Sequence, residues 1–143
     1  MNRKARTIGA LALGVLGLDQ ATKWWALRVL QPGDTTPVIP GVFHLTLVHN
    51  PGVAFGLFAR MGWIVVVVAV MIVAVLTMTS LRPPPSAGPA ALRTWMATGL
   101  ILGGAVGNLI DRIRYGGVVD FLDFRVWPVF NVADSGITVG AAL

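Results

Sequence analysis

Few side chains in this chain can do chemistry. Its six acids are all aspartates: Asp19, Asp34, Asp111, Asp120, Asp123 and Asp134. Four of them fall between residues 111 and 134, with apolar sequence on either side. There is no cysteine, so no thiol nucleophile and no disulfide framework. The two histidines, His44 and His49, show no HExxH or similar metal-ligand spacing, and no cofactor motif is present, so neither a metal nor a cofactor is expected. Two carboxyl groups held about 3 Å apart cannot both ionise and must share a proton. The ionised member can draw a proton from water while the protonated one polarises a carbonyl. That is amide hydrolysis by paired acids.

The elements that must position these acids are unusually apolar. The chain has 143 residues, of which 55% are hydrophobic and 12% charged, with a mean hydropathy of +0.76. A soluble domain carries about 25% charged residues. The expectation is therefore an all-α membrane protein in one domain, residues 1–143, with helices near 7–28, 61–81, 94–111 and 131–143. Thirteen residues in the last stretch cover about 20 Å against roughly 30 Å of hydrocarbon, so that helix reads as cut short. Asp19 and Lys23 stand four apart in the first helix, the favourable order for an ion pair. Gly99, Gly103 and Gly107 recur every four residues in the third, leading to Asp111, and invite close helix packing.

The segments 32–60 and 112–130 read as the extramembrane part. Val42 to His49 is rich in β-branched and aromatic residues and predicts a short strand. Residues 112–129 read as a polar, aromatic loop turning at Gly116-Gly117. The net charge of +5 is concentrated only at Arg3, Lys4 and Arg6. Membrane lipid suits that cluster better than nucleic acid, which is not expected as a partner. A cytoplasmic amino terminus puts five Lys/Arg inside and six outside, so charge alone does not orient the chain. The same orientation brings every Asp to the outer side or outer edge of the membrane.

Four spans place Asp19, Asp111 and Asp134 at helix ends on one side, with Asp120 and Asp123 in the connecting segment. Asn131 can cap the last helix, and Asp134 then lies in its first turn, where the helix dipole favours a carboxylate. Asp134 is the better resting base. Asp120 follows Val118-Val119 and can be held at the membrane edge. Plainer readings stand beside these: Asn131 and Asp134 as a capping pair, Asp19 and Lys23 as a structural pair, Asp111 and Arg112 as an anchor, Asp123 solvated, and the histidines in a loop. A small transporter or proton-conducting protein using outer-edge carboxylates is the alternative function. It predicts polar residues through the membrane midplane, where the second span has none.

Five stretches in order resemble the lipoprotein signal peptidase family (signal peptidase II), the intramembrane aspartic peptidases of bacteria. They are Asp19 to Lys23 (DQATK), Asn50 to Gly56 (NPGVAFG), Gly103 to Arg112 (GGAVGNLIDR), Gly117 to Phe121 (GVVDF) and Phe130 to Ser135 (FNVADS). Val53, where alanine is common, and a short interval between 120 and 134 are the departures. The resemblance implies that Asp120 and Asp134 form the catalytic dyad. It also implies that Asn50, Asn108, Arg112 and Asn131 position the substrate backbone or support the dyad. Asp19, Lys23 and Asp111 are then supporting polar residues. Gly52, with Ala54 and Gly56, leaves room for a lipidated side chain.

The implied fold is four transmembrane helices with a small extracytoplasmic β-cradle drawing on 42–49 and a short interfacial helix near Gly56. The implied substrate is a diacylglyceryl-modified prolipoprotein, cut immediately before its lipid-modified Cys. The implied setting is the bacterial cytoplasmic membrane, multi-pass, with the site at the extracytoplasmic face, and a monomeric enzyme without cofactor. Burial of acyl chains supplies binding energy away from the scissile bond, at roughly 0.8 kcal/mol per CH₂.

Overall fold

The computed structural model describes residues 3–52, 62–81 and 88–143, with side chains for 3–52, 66–79 and 88–143. Its elements are α1 (Arg3–Val29), β1 (Thr35–Ile39), β2 (Phe43–Asn50), α2 (Gly62–Leu81), α3 (Pro89–Tyr115), β3 (Val118–Asp123) and α4 (Val132–Ala142).

Close approach between helices is set by glycine. Gly99, Gly103 and Gly107 turn one bare face of α3 towards α1. A Cβ at Gly103 would stand 2.5 Å from the Ala12 carbonyl oxygen, closer than any side chain tolerates. The neighbouring Gly104 faces α4, where a Cβ would run into the Ala133 carbonyl. Helix α3 is thus wedged between α1 and α4, backbone against backbone. It ends at Gly116, whose left-handed φ of 74° lets its N–H reach the Arg112 carbonyl.

The three strands form one antiparallel sheet in the order β1-β2-β3. Strand β1 is an exposed edge, where Pro37 costs no ladder bond to a further strand. Strand β3 is the buried side. Its Val119 and Phe121 pack with Leu47 of β2 and with Ala26 and Leu30 at the end of α1. The apolar core therefore lies under the sheet, next to the carboxyl end of α1. The strand expected at 42–49 is matched by β2, while β1 and β3 lie in segments read as loop. Strand β3 is buried along most of its length, so it lacks the alternation of a half-buried strand, and its two aspartates argue against a strand on propensity.

Two expectations are corrected. Among the described residues, no helix is long and apolar enough to cross a membrane. The all-α membrane class with four transmembrane helices is therefore replaced by four helices carrying a three-stranded sheet. The multi-pass placement in the bacterial cytoplasmic membrane, with a cytoplasmic amino terminus and an extracytoplasmic site, is withdrawn with it. The physical reason is charge and length. Helix α1 carries Arg3, Lys4, Arg6, Asp19, Lys23 and Arg28, and α3 carries Arg93, Asp111, Arg112 and Arg114. Helix α4 has 11 residues, or about 16 Å. The short helix expected near Gly56 lies outside the described residues.

Candidate functional site

Asp120 and Asp134 reach one cavity from different elements. Asp120 projects from β3 and is 2% exposed, although its strand begins directly after a diglycine turn. Asp134 stands in the first turn of α4, whose cap is Asn131: the Asp134 N–H donates to Asn131 Oδ1 at 2.8 Å. The cavity has a volume of about 520 Å³ and is lined by both acids, with Asn50, Gly52, Asn108 and Arg112 among its polar walls.

Two buried amides join the acids. Asn131 Nδ2 donates to Asp120 Oδ1 at 2.7 Å and to Asn108 Oδ1 at 3.1 Å. Asn108 Nδ2 then donates to Asp134 Oδ1 at 2.7 Å. Asn50, at the end of β2, donates to the other oxygen of Asp120 at 3.1 Å and accepts the Gly52 N–H at 3.0 Å. Arg112 ties this corner to α3 by donating to the Gly52 carbonyl at 3.3 Å and the Asn108 carbonyl at 3.2 Å. Its Nε is buried without a hydrogen-bond partner among the described residues.

Electrostatics act on Asp120. Burial raises the Asp120 carboxyl and the charge of Asp134 raises it further; the amides of Asn50 and Asn131, and Lys23, pull the other way. The result is a carboxyl pushed up to about 7. It holds a proton near neutrality, as a hydrogen-bond donor to a carbonyl must.

A second, fully buried tier lies behind this one. Lys23 Nζ sits 2.9 Å from Asp19 and 2.8 Å from Asp111, and donates to Asn108 Oδ1 at 3.0 Å. Its three N–H groups are used in full. Asp19 accepts the Ala133 N–H at 3.0 Å, and Asp111 accepts the Val119 N–H at 3.1 Å. Gln20 adds donors to both carboxylates at 3.1 Å. Gln20 stands in the first quoted motif, yet nothing in its type marked it as a bridge between α1 and α3.

Other residues are placed differently from expectation. Asp111 pairs with Lys23 across the helix interface, and no bridge to its neighbour Arg112 forms among the described residues. Asp123 is not solvated but 4% exposed, with Thr46 and Arg125 as partners. His44 and His49 lie in β2. No three His, Asp or Glu side chains converge as metal ligands among the described residues. Asp34 is exposed in the loop before β1.

This constellation can be set against known proteins. The family model described as Signal peptidase (SPase) II matches residues 11–143. The chain belongs to the signal peptidase II family. A lipoprotein signal peptidase of Moorella thermoacetica is 50% identical over 133 residues, 93% of this chain and 86% of its own. One from Halothermothrix orenii is 44% identical, covering 93% of this chain and 88% of its own. A solved structure of a bacterial membrane enzyme superimposes with a TM-score of 0.85 at 31% identity, over 95% of this chain and 83% of that one. Every residue that lines the cavity lies inside the span matched by the family model.

Proposed function

We propose that Asp120 and Asp134 are the catalytic dyad of an aspartic endopeptidase that processes lipoprotein precursors. Membership in the signal peptidase II family carries the activity. The assignment of the dyad rests on one observation: a buried Asp120 held near pKa 7, tied through Asn131 and Asn108 to Asp134 across a shared cavity.

Asp134 acts as base and takes a proton from the attacking water, whose oxygen bonds to the scissile carbonyl carbon. Asp120 donates its proton to the carbonyl oxygen as the tetrahedral intermediate forms. Collapse of the intermediate breaks the C–N bond: the proton gained by Asp134 passes to the leaving amine, and one diol O–H returns its proton to Asp120, which restores the resting pair. Asn50 and Asn131 hold both oxygens of Asp120, so its donor proton has a defined direction. Arg112 and Gly52 stand beside the dyad to orient the substrate backbone.

The substrate we propose is a prolipoprotein whose Cys carries a diacylglyceryl group, cut immediately before that Cys. The cavity supports it through an apolar side built by Val68, Ala69 and Ile72 of α2, Ile101 of α3 and Ile137 of α4. Each acyl methylene buried there is worth roughly 0.8 kcal/mol.

The test is cleavage of such a precursor by the purified protein. Asp120→Asn and Asp134→Asn should each abolish it while the protein stays folded by circular dichroism. Near-normal cleavage by either variant would remove that residue from the dyad.

A further inference from the structure

Asp123, an acid that the dyad does not use, sits at the base of a closed loop. Leu122 and Phe130 pair their backbones, with the Phe130 N–H donating to the Leu122 carbonyl at 3.0 Å and the Leu122 N–H donating back at 2.8 Å. The Phe124 ring stacks on Phe130 at 5.9 Å and packs against Phe43 at 5.0 Å. These contacts bring the two ends of the loop together. Asp123 adds something else: Oδ1 accepts the Arg125 N–H at 2.8 Å, and Oδ2 accepts Thr46 Oγ1 at 2.8 Å and the Arg125 guanidinium at 3.0 Å.

Those bonds hold Arg125 at φ 65°, the only positive φ at a non-glycine position among the described residues. A residue with a Cβ is disfavoured in the left-handed region, and such outliers persist where the surroundings over-determine them. What the strained turn controls is the course of residues 126–129. Val126 is thrown outward, 92% exposed, while Trp127, Pro128, Val129 and Phe130 line the same cavity as Asp120 and Asp134.

We infer that Asp123 is a positioning residue for substrate binding, latching the loop so that Trp127 to Phe130 stand as one wall of the cavity against the apolar part of the precursor. The inference rests on the proposed function. The chemistry at the dyad does not pass through Asp123, so its loss weakens binding and spares the bond-breaking step.

Steady-state cleavage of the diacylglyceryl-modified precursor tests this. Asp123→Ala should raise KM roughly tenfold, the order of a lost pocket contact, with kcat within about twofold of wild type. Asp123→Asn keeps one acceptor oxygen and should fall between the two. Trp127→Ala should raise KM in the same way, and the double variant should be no worse than the larger single one, because both act through one wall. A folded Asp123→Ala with unchanged KM, a fall in kcat alone, or full additivity with Trp127→Ala would overturn the latch. Where Asp123→Ala yields no folded protein, an unchanged KM in Trp127→Ala overturns it. A wild-type protein that leaves the precursor uncut refutes the function beneath the inference, whereas a wild type that cuts beside unaffected variants refutes the latch alone.

Discussion

The Asp19 carboxylate accepts the backbone N–H of Ala133 at 3.0 Å, across 114 positions of chain. Asp111 does the same for Val119 at 3.1 Å. Ala133 and Val119 are the residues immediately before Asp134 and Asp120. Each reacting acid is thus fixed through the peptide unit that precedes it, and Lys23 binds the two fixing carboxylates together. One buried cation governs the relative placement of β3 and α4.

Replacing Lys23 by Met should destabilise the protein by about 3–5 kcal/mol, because Asp19 and Asp111 are left as buried charges without their cation. Denaturant unfolding reads this directly. A loss below about 1 kcal/mol, typical of exposed pairs, would mean that the cluster is solvated and not the clamp described here.

Asn50 donates to Asp120 and so lowers its proton affinity. Asn50→Ala removes that donor. The carboxyl then rises above about 7, and the alkaline limb of the kcat/KM profile, set by loss of the Asp120 proton in the free enzyme, should move to higher pH. A limb that stays in place or moves to lower pH would deny Asp120 the acid's role.

The same raised carboxyl carries a stability cost with a defined sign. Between about 4 and 7 the folded protein holds the Asp120 proton more tightly than the unfolded chain, so stability falls as pH rises through that window. The integrated cost is roughly 4 kcal/mol at most. Asp120→Asn cannot ionise and should be more stable than wild type at pH 7, with the difference fading towards pH 4. Equal melting temperatures across the window would show that Asp120 is not held neutral by burial.

Gly104 has no room for a methyl group against the Ala133 carbonyl. Gly104→Ala must push α4 away from α3, at about 1–3 kcal/mol, and it moves Asp134 with the helix. Both melting temperature and kcat should fall. Loss of stability with full kcat would mean that α4 tolerates displacement.

Much of this site is written locally. The Asn131 to Asp134 spacing specifies a cap, and the structure forms that bond. The Asp19 to Lys23 spacing specifies a helical ion pair, and it forms. The glycines every four residues specify a bare face, and α1 occupies it. These are consequences of 1.5 Å rise and 3.6 residues per turn, which chain order alone carries. The five motifs likewise name the family without coordinates.

Tertiary structure decided the rest, because it concerns partners far apart in the chain. Asp123 looks like a surface acid in sequence, and only the register of β3 against β2 brings Thr46 to it and buries it. Asp111 looks like a partner for adjacent Arg112, until α1 packs along α3 and offers Lys23 instead. Hydropathy read over long windows predicts membrane spans, but α1 and α3 carry Asp19, Lys23 and Asp111, α4 is brief, and no helix among the described residues is long and apolar enough to cross a membrane. Burial and pairing are properties of the assembled fold, and the proton affinity of Asp120 follows from them.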